Sequence, residues 1–240
     1  MFVNFLWQNK LSVIQKVVKE QIILQPYDLI FLDILIIKMF KNILNSDQQK
    51  LLSFIKLFSS DFYLVGGTAI ALHIGHRRSI DFDLFTDSTF DPMLIRNKII
   101  NNKDIDHTFS QGSGELTILI NKVKVTFFHY PFIIERNVLF EQTLKLPDLI
   151  TLGAMKAFAL GRRAKWKDYV DLYFIFQKFS FQELINKTIS IFKNEFNEKL
   201  FRTQLSYFDD VDNSEEIEYI PGFEKNDDEV KKYLEKISLS

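Results

Sequence analysis

The chain has 240 residues, with 30 Lys and Arg against 31 Asp and Glu and a formal net charge of −1, which excludes a histone-like protein that coats nucleic acid by bulk charge. Hydrophobic residues make up 47% and charged residues 25%, the composition of a folded protein rather than a disordered one, and the length allows one large domain or two small ones. There is no cysteine, so disulfides, zinc–thiolate sites and thiol catalysis are excluded, in keeping with a reducing compartment.

The most apolar N-terminal run, residues 29–40, is interrupted by Asp33 and Lys38 and is too short to span a bilayer. Residues 1–7 are apolar but lack a basic n-region and a small-residue cleavage site. The expectation is a soluble, cytoplasmic protein with no membrane partner. Residues 11–23 have helical apolar spacing that Pro26 ends, and Met39 offers an alternative start, which would make residues 1–41 an extension. Ser46-Asp47-Gln48-Gln49 reads as a helix start with Leu51, Leu52, Phe54, Ile55 and Phe58 as its apolar stripe. A short β-type run, Phe62 to Val65, ends in Gly66-Gly67, and Thr68 opens a helix-like Ala69-Ile70-Ala71-Leu72. Residues 79–85 alternate, with Ser79, Asp81 and Asp83 on one face and Ile80, Phe82 and Leu84 on the other.

A helix over 91–101, an edge strand over 104–110 and two strands over 115–120 and 122–130 follow, the last two joined by a tight turn near Asn121. In the second of these, Val123, Val125 and Phe127 face the core, and Lys122, Lys124 and Thr126 form the polar face. From Pro147 the pattern turns helical, with segments at 148–160, 167–179, 181–192 and 194–204, and the acid-rich residues 209–240 read as a partly ordered tail split by Pro221-Gly222. The expected class is α+β: a mixed sheet flanked by helices over residues 42–146, a helical subdomain over 147–208 and the tail over 209–240.

Asp81 and Asp83 lie two apart on a strand, so both carboxylates point to one side and can share a divalent cation. A bare Asp-x-Asp is more often the exposed end of a strand; what raises it here is Gly66-Gly67-Thr68. A strand that ends in two glycines and opens a helix presents backbone N–H groups that suit a phosphate, and Thr68 adds a hydroxyl.

Gly66-Gly67-Thr68, a helical turn, Arg77-Arg78-Ser79 and then Asp81-Phe82-Asp83-Leu84-Phe85 resemble the core signature of the polymerase β-like nucleotidyltransferases, and within them the AbiEii toxin family. A second block, Lys156, Ala159-Leu160, Arg162-Arg163, Lys165, Asp168 and Asp171-Leu172, is similar to that family's Lys…Arg…Asp-x-x-Asp helical motif. The resemblance covers roughly residues 42–177. It implies a nucleotidyltransferase fold and transfer of a nucleoside monophosphate from an NTP to a hydroxyl, with release of pyrophosphate. It further implies Mg²⁺ (or Mn²⁺) on Asp81 and Asp83, Lys156 on the triphosphate, and Gly66, Gly67, Thr68, Arg78, Ser79, Asp168 and Asp171 around the nucleotide. Paired carboxylates with a cation and backbone donors are also what phosphoryl transfer asks of a site on physical grounds. The implied setting is a toxin-like effector of abortive infection or a toxin–antitoxin pair, with a tRNA or other RNA acceptor, a cognate antitoxin and no DNA partner.

One position departs from the family pattern. The superfamily carries a third carboxylate on a later strand, and Thr126 stands there. Asp168, Asp171 or His129 would have to substitute, or one metal would have to suffice, or the chain has become a catalytically weakened binder of nucleotide or RNA. Plainer readings exist for the second block: Asp168 as a helix-start carboxylate, Asp171 paired with Lys167 or Arg163, Lys156 snorkelling to the surface, and Arg162, Arg163, Lys165 and Lys167 as a solvated loop. His73, His76, His107 and His129 have no Ser or Asp partners at triad spacing. Phosphatases and sugar-nucleotide glycosyltransferases that carry Asp-x-Asp want a buried hydrophobic strand before it, whereas Asp81 follows Arg77-Arg78-Ser79.

Overall fold

In a computed structural model, which describes residues 39–141, 144–160 and 162–240, the first α-helix, α1, runs Ser46–Ile55. Asn45 starts it: the Asn45 side chain accepts from the Gln48 N–H at 2.8 Å, and the Gln48 side chain accepts from the Asn45 N–H at 3.1 Å, a reciprocal cap. The expectations for residues 1–38 lie outside the described residues.

Five strands form a mixed sheet: β1 (Tyr63–Val65), β2 (Phe82–Thr86), β3 (His107–Gly112), β4 (Glu115–Ile120) and β5 (Val123–His129). Their order is β1-β2-β5-β4-β3, with β2 and β5 parallel and the other neighbours antiparallel. Helix α2 (Gly66–Ile74) follows β1, and α3 (Pro92–Ile100) follows β2, started by an Asp91 cap and Pro92 in its first turn. In β5, Val123, Val125 and Phe127 are buried while Lys124 and Thr126 are half-buried on the other face. Asn121 and Lys122, between β4 and β5, both take positive φ (49° and 64°), the pattern of a tight hairpin turn whose twist matches its strands.

Three elements differ from the sequence-based expectation. The strand carrying the acidic pair begins at Phe82 rather than Ser79, and Ile80 lies in the preceding loop, 59% exposed. The reason is local. The Ser79 carbonyl accepts from Gln48 Nε2 at 2.8 Å and the Asp81 carbonyl accepts from the Thr68 hydroxyl, so helices rather than strands hold this loop. A hairpin of β6 (Val138–Phe140) and β7 (Leu144–Leu146) was not expected; three-residue strands with one outward side chain each give almost no period to detect. The acid-rich C-terminal region, finally, is no loose tail.

The second half contains α4 (Leu149–Leu160), α5 (Trp166–Phe176), α6 (Phe181–Phe192), α7 (Glu198–Ser206) and α8 (Asp227–Ser238). Asn226 caps α8, Asp227, Asp228 and Glu229 occupy its first turn, where a carboxylate favours the helix dipole, and Val230 and Leu234 are fully buried. This helix packs on α5 and α7, and Tyr173 donates to Glu229 at 2.9 Å. Helix α2 packs against both α4 and α5, so the sheet half and the helical half share one apolar core. The class is α+β, and no helix among the described residues is long and apolar enough to cross a membrane.

Candidate active site

β1 ends at Val65 and α2 begins at once, with no side chain capping its N-terminus. The first-turn N–H groups of such a helix remain available to an anion. Gly66 is held at φ +72°, and a Cβ there would lie 2.1 Å from Asp83 Oδ2. A Cβ on Gly67 would lie 2.5 Å from Arg77 Nη2. Each glycine is therefore required by the charged group pressed against it, a carboxylate in one case and a guanidinium in the other.

Asp83 lies in the middle of the sheet, level with Val65 on β1 and Thr126 on β5. Burial and the nearby Asp81 carboxylate push its pKa up, against the pull of Lys156, Lys124 and Arg163. Asp81, at the mouth of the same strand, pairs with Lys124 Nζ at 3.0 Å. Two carboxylates that repel each other in a partly desolvated place are an arrangement that gains from an added cation. Among the described residues no group of three His, Cys, Asp or Glu side chains is placed to hold a metal, in line with a threonine at position 126.

The second motif block forms a buried ionic cluster directly behind this site. Asp171 accepts from Arg77 Nε at 2.7 Å and Nη2 at 2.8 Å, and lies 2.8 Å from His76 Nε2. Lys156 Nζ reaches Asp168 Oδ1 at 2.7 Å and Asp171 Oδ2 at 3.2 Å. Asp168 and Asp171 are fully buried, and Lys156 and Arg77 are nearly so. Burial pushes the Asp171 carboxyl up, but the charges of Arg77 and Lys156 and the hydrogen bonds outweigh it and hold it well below the ordinary carboxylate range. Lys156, likewise opposed by burial, is held above its ordinary value by Asp168 and Asp171. Both cations are therefore fixed in the charged state. Asp171 pairs with Arg77 and Lys156 instead of Lys167 or Arg163, and Lys156 points inward instead of snorkelling.

A cavity of about 830 Å³ opens in front of these groups. Gly66, Asp83, Lys124, Thr126, Lys156 and Arg163 line its charged end, and the rest mixes aromatic rings with aliphatic side chains and the charged pair Arg162 and Glu195. The structure thus brings together the glycine turn, Asp83 and Lys156, and sets Asp81 beside them through Lys124. Other expected positions are occupied differently. The Thr68 side chain is buried, its hydroxyl donates to the Asp81 carbonyl and its oxygen lies 2.9 Å from Ser79 Oγ, so it fixes the loop rather than facing the cavity. Arg78 donates to Glu218 at 2.6 Å and its N–H to the Glu218 carbonyl at 2.8 Å, which ties it to the C-terminal segment. Asp168, Asp171 and His129 do not line the cavity, so none of them takes the place of the third carboxylate there. Lys165 donates to Glu215 at 2.6 Å and Lys167 donates to the same carboxylate. Burial opposes these bonds, yet they hold Glu215 down to about 2.

Lys124 and Gln48 were missed as contributors. Lys124 had a signal, since it stands two residues before Thr126 on the polar face of β5. Gln48 had none beyond its place in a helix start, because its bond to Ser79 spans 31 residues.

Comparison with known proteins places this geometry. Residues 54–127 match the family described as nucleotidyl transferase AbiEii toxin, Type IV TA system. The uncharacterized protein aq_aa25 of Aquifex aeolicus (strain VF5) is 29% identical over 187 residues, which span 73% of this chain and 89% of that one. The crystal structure of JHP933 from Helicobacter pylori superimposes with a TM-score of 0.50 at 14% identity, over 80% of this chain and 89% of that one, a likeness of fold. The matched residues 54–127 hold the double-glycine turn, both aspartates and Thr126, so the likeness to the AbiEii nucleotidyltransferase toxin family falls on the residues that build this site.

Proposed function

We propose that the protein transfers a nucleoside monophosphate from an NTP to a hydroxyl acceptor, with release of pyrophosphate, using Mg²⁺ or Mn²⁺ held by Asp81 and Asp83. The observation that carries this reading is the contact of the Gly66 turn with Asp83, at 2.1 Å for an added Cβ, in one cavity with Lys156. The fit of a hard divalent cation follows from the donors: two carboxylates two residues apart, one of them resisting ionisation because of its burial and the nearby second carboxylate. When bound, the ion neutralises triphosphate charge and polarises the phosphoryl group under attack. The α2 N-terminus takes phosphate oxygens through backbone N–H groups, and Lys156, charged and immobile, supplies positive field where charge builds on the leaving pyrophosphate. Arg163, at the same end of the cavity, adds a second donor. The family's description as a toxin of a Type IV system supports a toxin-like effector with a cognate antitoxin; an RNA, tRNA included, is the acceptor class we propose.

A second reading rests on Thr126. It is level with Asp83 on the neighbouring strand, where a carboxylate would complete the acidic set, and a hydroxyl neither carries charge nor serves as a strong base. In that reading the chain binds nucleotide or RNA with little turnover. Incubation with each α-labelled NTP, Mg²⁺ and total RNA separates the two. Label on an acceptor, lost in Asp81→Asn and Asp83→Asn, supports transfer; nucleotide binding without label supports the second reading; label undiminished in both variants overturns the proposal.

A further inference from the structure

Beyond its charged end the cavity continues over a surface that phosphoryl chemistry does not require. Along the paired strands β2 and β5 the register sets Asp83 level with Thr126 and then Phe85 level with Phe128. Side chains two apart on a strand share a face, so the charged step is followed by an aromatic one about 7 Å further on. Tyr130, just past β5, extends it: its ring centroid is 5.2 Å from that of Phe85, and the Phe85 and Phe128 centroids are also 5.2 Å apart. All three rings line the cavity and all three are only half-buried. Phe158, which lines the same cavity, is covered by Phe192, with centroids 3.9 Å apart and planes 3° from parallel. Phe85, Phe128 and Tyr130 touch one another at their edges and still face open volume next to a carboxylate, a helix N-terminus and two lysines. A ligand that matches this surface is anionic at one end and flat and aromatic at the other.

We propose that Phe85, Phe128 and Tyr130 form the platform on which the base of the bound nucleotide stacks. The inference rests on reading the charged end as a triphosphate site, and deepens it by naming what fills the rest of the cavity. Every base has a π-face, so stacking of this kind is tolerant of base identity. The platform selects nucleotides over bare polyphosphates and leaves only modest preference among the four bases.

Calorimetric titration of the full-length protein with each Mg·NTP and with Mg·tripolyphosphate tests this, in the wild type and in Phe128→Leu and Tyr130→Leu, which keep apolar bulk but remove the ring. The wild type is expected to bind nucleotides at least about tenfold more tightly than tripolyphosphate, and each variant to lose about tenfold for nucleotides while tripolyphosphate affinity stays the same. That unchanged affinity also certifies that the variant is folded, and Tyr130→Leu, at the outer end of the platform, covers the case in which Phe128→Leu does not fold. Equal binding of nucleotide and tripolyphosphate by the wild type overturns the platform, as do variants that weaken both ligands alike or neither. Failure of the wild type to bind either ligand defeats the transferase reading itself, and with it the platform.

Discussion

His76 is buried with one polar partner: its Nε2 lies 2.8 Å from Asp171 Oδ1, and its Nδ1 has no hydrogen-bond partner. Burial pushes its pKa below the ordinary 6.5 despite the help of Asp171. A histidine whose folded pKa is depressed binds fewer protons folded than unfolded, so its contribution to stability is complete above the unfolded value and declines as pH falls below 6.5. Asp171, by contrast, is depressed well below the carboxylate range, and its contribution persists until far more acid conditions. The melting temperature should therefore fall between pH 7 and 5, and His76→Gln, which keeps a donor for Asp171, should flatten that fall. His73, also depressed by burial, acts with the same sign, so the flattening is partial and His73→Gln should add to it. Identical pH slopes in the wild type and both variants would refute the assignment. At this scale the sequence was legible where chemistry is local. The double glycine and the aspartates two apart announce themselves within 20 residues, whereas the role of His76 depends on a carboxylate 95 residues away.

Among the elements, α8 shows how composition misleads. Six acidic residues between Asp209 and Glu218 and four more between Glu224 and Glu229 suggest a solvated tail, yet three of these carboxylates fill the first turn of a helix that buries Val230 and Leu234. The cap at Asn226 and the i, i+4 pair Val230 and Leu234 carried the helical signal, but two apolar positions in a charged stretch are a thin stripe. The strands β4 and β5 were legible because six or seven alternating residues flank a two-residue turn; β6 and β7 were not, being three residues each. If α8 is integral, Leu234→Ala should lower the unfolding free energy by about 2–5 kcal/mol, the range for a buried leucine, measured by urea denaturation. A loss below about 0.5 kcal/mol, as for a surface site, would return the segment to the status of an appendage.

At the scale of the whole molecule, the first half supplies Arg77 and His76 and the second supplies Lys156, Asp168 and Asp171, and all five meet away from water. Removing one partner of such a cluster strands the others. Asp171→Leu and Arg77→Met should each destabilise the protein by about 3–5 kcal/mol, and the double variant should be less destabilised than the sum of the two. Strict additivity in chemical denaturation would show that the pair is not coupled. The order of the two motif blocks hinted at this meeting, but its form was hidden, since Arg77 and Asp171 are 94 residues apart.

That junction has a bearing on how the protein can be cut or recombined. Residues 54–127 contain the recognisable signature, yet expressed as a fragment they would lose both the counter-ion of Arg77 and the helices that cover it, leaving the apolar face behind the glycine turn open to water. Chimeras that exchange only one block between relatives face the same mismatch. The smallest transplantable unit is therefore the glycine turn together with the distant helix that neutralises its arginine.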